Sequence, residues 1–87
     1  MNRIEAIRER LAALSPQQVD IEDDSAKHAG HQSAGGGGHY RLTIVSDAFA
    51  GKSLVQRHRL VYETLDDLLK QNEIHALSIK AYTAQEI

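Results

Sequence analysis

At 87 residues, with 41% apolar and 25% charged residues and a formal net charge of -2, the chain has the size and balance of one soluble globular domain. A domain of this length buries only about 60 to 65% of its unfolded surface, enough for one modest core and too little for a deep substrate pocket. No stretch approaches the ~20 apolar residues of a membrane span. The mild acidity argues against binding nucleic acid through bulk charge. Cysteine is absent, so there are no disulfides, and any metal site uses nitrogen or oxygen ligands or sulfur borrowed from a partner.

Ile4, Ile7, Leu11 and Leu14 recur at three- and four-residue steps, which puts them on one stripe of an amphipathic helix, with Glu5, Arg8 and Glu9 off it. Asn2 suits its N-cap and Ser15-Pro16 its end. Glu5 and Glu9 are interleaved with Arg3, Arg8 and Arg10, which argues against a transit peptide, since those are poor in acids; a cytoplasmic setting is the expectation. Val19 and Ile21 alternate with Asp20 and Glu22, the pattern of a short half-buried strand ahead of Asp23-Asp24-Ser25. Over 26–38 no apolar periodicity survives, and the glycine run Gly35 to Gly38 is costly to order, so a flexible loop rich in Gly and His is expected.

A second strand from about Tyr40 to Val45 carries Tyr40, Leu42 and Ile44 on one face and Arg41 and Thr43 on a wet one. Phe49, Gly51 and Lys52 read as a turn, and Ser53 as the N-cap of a helical run. In that run Leu54, Val61, Leu65 and Leu68, with Val55, Tyr62 and Leu69, fill a broad apolar face through Lys70, as one helix or two in tandem. The last strand covers His75 to Tyr82, with Leu77, Ile79 and Ala81 pointing one way, Ser78 and Lys80 the other, and His75 on the side of Leu77. Thr83 and Glu86 have capping-box spacing. The order α-β-β-α(α)-β predicts one α+β domain over 1–87, with helices on one face of a three-stranded mixed sheet. Its first two strands pair antiparallel, and the third lies parallel to a neighbour after a helical crossover.

The candidates for chemistry are the five histidines and one basic cluster. His28 and His31 in a polar loop are solvated by default, and His-x-x-His alone is a weak metal pattern. His39 at a strand start suits a structural hydrogen bond better than ligation, although it lies close enough to the loop to compete, and His58 suits packing or surface chemistry on the helix. Lys52, Arg57, His58 and Arg59 carry three formal positive charges with no acid between them, near a helix start of the kind that attracts phosphate. Against nucleic acid stand the few aromatics and the single glycine of Ala50-Gly51-Lys52-Ser53 where a KH clamp uses Gly-x-x-Gly. Glu22, Asp23 and Asp24 beside the histidine loop could hold zinc, and Ser46 or Ser53 could be cast as a nucleophile, but no base-and-orienter spacing supports either. The chain does not read as an enzyme.

Two segments go further: Arg57-His58-Arg59-Leu60-Val61-Tyr62 and Ile74-His75-Ala76-Leu77 resemble the signature of the BolA family. The likeness extends to Asp24-Ser25 with His28, to His39-Tyr40, to Val45 through Ser53, and to Ser78 through Thr83, so it spans nearly the whole chain. BolA proteins have the same α-β-β-α-β order, which is similar to a type II KH fold. The resemblance implies a partner of monothiol glutaredoxins that shares a bridged [2Fe-2S] cluster, in iron-sulfur assembly, transfer or iron regulation. In that arrangement the glutaredoxin supplies one thiolate and its bound glutathione another. The BolA protein offers a histidine near the start of its last strand and a His or Cys from the loop between its first two strands. These positions match His75 and, with no cysteine here, His28, with His31 three residues on. Imidazole suits iron, and two histidines in place of two thiolates on one iron raise the potential. Some BolA proteins are described as transcriptional regulators, which makes DNA the alternative partner, through the basic cluster. The chain departs from the family pattern around Asp23-Asp24-Ser25 and at Ala84-Gln85-Glu86, where Pro-Glu-Glu is common; these touch capping rather than the site.

Overall fold

The computed structural model of the chain describes residues 2–24 and 38–87; the expected loop over 26–38, and with it His28 and His31, lies outside the described residues except for Gly38. Helix α1 (Arg3–Leu11) starts at a capping box in which the Asn2 side chain accepts from the Glu5 N–H and Glu5 reaches back to Asn2. A 3₁₀ turn over Ala12–Leu14 follows, and Ser15 closes it in the left-handed region at φ 48°. Strand β1 (Gln18–Asp23) pairs antiparallel with β2 (Gly38–Val45), and β2 pairs parallel with β3 (Ile74–Tyr82), giving the order β1-β2-β3. Between β2 and β3 lie α2 (Leu54–Thr64) and α3 (Asp66–Lys70), broken at buried Leu65. The expected α+β architecture and mixed pairing are both present.

All the helices pack on one sheet face. Ile7 and Leu11 of α1, Val61, Leu65 and Leu68, and Tyr40, Leu42, Ile44, Ile79 and Ala81 of the sheet form one buried cluster. Three side-chain assignments are corrected: Leu54 (65% exposed), Val55 (64%) and Tyr62 (41%), expected on the apolar face, stand in solvent, while Phe49 of the expected turn is fully buried. One aromatic from the 3₁₀ turn Asp47–Phe49 supplies the burial that the first turn of α2 does not. The helices also guard the sheet edges, where outward carbonyls invite pairing with other chains. The Val19 carbonyl accepts from Arg8 Nη1 at 3.0 Å, the Ala81 carbonyl from Arg57 Nη1 at 3.0 Å and the Leu77 carbonyl from the Tyr62 hydroxyl at 3.4 Å. No helix among the described residues is long and apolar enough to cross a membrane.

Candidate metal centre

The β2–β3 ladder runs in regular register from His39↔Ala76 to Val45↔Tyr82, but its first pair is Gly38↔Ile74, so β3 spends one extra residue, His75, against none on β2. This is a β-bulge, which places two successive residues opposite one and re-aims a side chain. It has a hydrophobic cause. Ile74 is buried and Leu77 packs on the core, three residues apart, a spacing that strict alternation cannot bury on one face. The extra residue absorbs the mismatch. His75 therefore does not share the face of Leu77, as alternation predicts; it is exposed.

Released in this way, His75 stands beside His39, the residue opposite the bulge. Their ring centres are 5.0 Å apart with planes tilted by 45°. A metal–nitrogen bond of about 2.0–2.1 Å puts an imidazole centre about 3.2 Å from the ion, so two histidines on one tetrahedral ion have centres about 5 Å apart. The pair fits a shared ion. Among the described residues no third His, Cys, Asp or Glu joins them in a metal-holding group, so the other ligands of such an ion come from outside those residues. A shallow depression of about 240 Å³, lined by Asp24, His39, Arg41, Ala76 and Ser78 among others, opens next to the pair. Arg41 spans Glu22 at 3.5 Å and Asp24 at 3.6 Å on this side of the sheet.

The sequence singles out His75 and reads His39 first as a structural residue, close enough to the loop to compete as a ligand. The signal that joins them is the register of the expected parallel pairing: β2 and β3 start level here, so a histidine at the start of each strand becomes a pair in space. The bulge that turns them to one face was not legible. Tyr40, next to His39, is buried, and burial, aided by Asp23, pushes its hydroxyl pKa up while Arg3 works against it.

The basic cluster does not survive as one surface. Arg57 forms a bidentate pair with Glu86 at 2.7 and 3.0 Å and also donates to the carbonyls of Lys52 and Ala81, leaving its side chain 12% exposed. Hydrogen bonds from Arg57, then from the Thr83 N–H, hold the Glu86 carboxyl down at about 2. His58 turns Nε2 into the protein, where it has no hydrogen-bond partner among the described residues. Lys52 and Arg59 are the exposed members.

A family profile described as BolA-like protein matches residues 11–86. The chain is 53% identical over 88 residues to SufE-like protein 1, chloroplastic/mitochondrial, of Arabidopsis thaliana, covering 93% of this chain and 24% of that protein. It is 37% identical over 83 residues to the DNA-binding transcriptional regulator BolA of Escherichia coli (strain K12), covering 94% of this chain and 76% of that one. Among solved structures, the BolA domain of SufE1 from Arabidopsis thaliana matches with TM-score 0.87 at 51% identity over 100% of this chain and 98% of that one. The solution structure of BolA1 from Mus musculus matches with TM-score 0.78 at 41% identity, over 97% and 67%. The chain thus spans about a quarter of the SufE-like protein and about three quarters of the bacterial regulator.

Proposed function

The chain belongs to the BolA family, and from that premise we propose that it is a non-enzymatic adaptor that docks a monothiol glutaredoxin and co-ligates a bridging [2Fe-2S] cluster, the cargo of iron-sulfur assembly, transfer or iron regulation. The observation that carries this reading is the His39–His75 pair, two imidazoles at the separation of ligands on one ion, on an open face. His75 is the first ligand. For the second, the ring contact favours His39 over His28 and His31, which lie outside the described residues. Two histidines would supply half of the four terminal ligands of such a cluster, and the glutaredoxin cysteine with its glutathione would supply the other two. When bound, a cluster with two imidazoles on one iron has a higher potential than an all-thiolate one and responds to pH. The chain's own part is to present two imidazoles from neighbouring strands. The plant relatives carry organelle names, so the cytoplasmic setting is part of this proposal and not a trait shared across the family.

Adding the purified protein to a cluster-loaded monothiol glutaredoxin with glutathione is expected to change the visible absorption and circular dichroism. His75→Ala should abolish the change and His39→Ala should weaken it; an unaltered spectrum with the wild-type chain overturns the reading. The name of the bacterial relative supports a second reading, in which exposed Lys52 and Arg59 contact DNA phosphates. Duplex binding that weakens with salt and with Arg59→Ala would support it, whereas indifference to both would remove it. Arg57→Ala is the wrong probe for DNA, because Arg57 is spent on Glu86.

A further inference from the structure

Four residues around the two histidines close on one another. The Gly38 N–H donates to the Glu73 carbonyl at 3.1 Å. Two residues on, Tyr40 folds its ring back over Gly38 so closely that a Cβ there would lie 2.3 Å from the ring Cζ and the hydroxyl oxygen. Only glycine leaves room for it. Tyr40 is buried, and Arg3 from the first turn of α1 lies beside it, the two lining one depression with Asp23. Arg3 Nε in turn donates to Glu73 Oε2 at 2.7 Å. The circuit runs Gly38, Glu73, Arg3, Tyr40 and back to Gly38.

Its members flank the histidines on both strands: Gly38 and Tyr40 bracket His39, and Glu73 stands two residues before His75. The bulge leaves His75 with no register partner of its own, so its place depends on what holds the strand before it. Stability does not account for the circuit, since the Arg3–Glu73 pair is 46% and 41% exposed and such surface pairs contribute about 0–1 kcal/mol. We propose that Arg3, Tyr40 and Glu73, closed over Gly38, are positioning residues that set the spacing of His39 and His75 and couple the first turn of α1 to the histidine pair. This rests on the reading of that pair as ligands. Partners that orient metal-bound histidines typically alter metal affinity about 10- to 100-fold when removed.

Two readouts separate the inference from the function beneath it. In the free protein, a nuclear Overhauser contact between the His39 and His75 rings is expected in the wild type. It should be lost in Gly38→Ala and weakened in Tyr40→Phe and Arg3→Gln, with the amide shifts of Phe49, Val61 and Thr83 unmoved. The exchange Arg3→Glu with Glu73→Arg should restore it. In the titration with cluster-loaded glutaredoxin, Arg3→Gln and Tyr40→Phe should need about 10-fold more partner for the same spectral change, and the exchanged pair should recover toward wild type. Persistence of the ring contact in both Gly38→Ala and Arg3→Gln overturns the inference even if the cluster binds. Loss of the contact in those variants, with no spectral change for any chain, would uphold the coupling and overturn the ligand reading alone.

Discussion

At the Val45–Tyr82 end of the β2–β3 ladder the register is regular and capped by buried residues, while at the Gly38–Ile74 end the ladder slips and exposes a side chain. The first end is sealed by Phe49 and by Ser46, both fully buried. The Ser46 hydroxyl donates to the Leu14 carbonyl at 2.6 Å and accepts from the Ala48 N–H, and its own N–H bonds the Tyr82 carbonyl. Beyond it the Thr83–Glu86 capping box and the Arg57–Glu86 pair bind the C-terminal turn to α2. The other end has a bulge, an exposed His75 and a glycine held in place by a neighbouring ring. The difference shows a division of labour along one pair of strands. Regular pairing with buried partners gives stability, and an irregularity at the far end brings two imidazoles to one face.

Substitutions that strike one end and spare the other test this division. Phe49→Ala is expected to cost about 3–5 kcal/mol, the range for emptying a buried aromatic site, measured by urea unfolding, with the His39–His75 ring contact kept in the folded fraction. A loss of that contact at low urea would mean that the two ends are not independent. Ser46→Ala should cost about 1–3 kcal/mol by leaving the Leu14 carbonyl and the Ala48 N–H without their partner, read from the same unfolding curves.

Acid should act on the sealed end. The Glu86 carboxyl sits at about 2 in the fold against an ordinary 4.5, so its contribution is complete above 4.5 and is lost as pH falls from 4.5 toward 2. The melting-temperature gap between the wild type and Glu86→Gln is therefore expected to be constant from pH 7 to 5 and to close below that. A gap that widened in acid would contradict the pairing. Least of all should His75→Ala move stability, within about 0.5 kcal/mol, although it removes the spectral response to loaded glutaredoxin. A large loss of stability would mark His75 as part of the sealed core and not of an open site.

Much of the fold was legible because it rests on local rules. Asn2 with Glu5, and Ser53 with Gln56, cap helices where short-range hydrogen bonding directs them. The alternation of Tyr40, Leu42 and Ile44 sets the inward face of β2. What local rules misplaced was the solvent position of Leu54, Val55 and Tyr62 and the face of His75, and they were silent on the burial of Phe49. Periodicity says which residues lie on one stripe, but not how far along the stripe a neighbour covers it.

By itself the sequence determined the class of fold, the order and type of its elements and the family, since caps, periodicity and a short motif act within a few residues of each other. Only the tertiary structure decided that His39 is the neighbour of His75, that Arg57 is committed to Glu86, and that Gly38 ends a glycine run as a fitted part of β2. Each of those joins residues separated by long stretches of chain or by a strand's free choice of register. Long-range packing settles them, here the need to bury both Ile74 and Leu77 on one face of a strand that must bulge to do so.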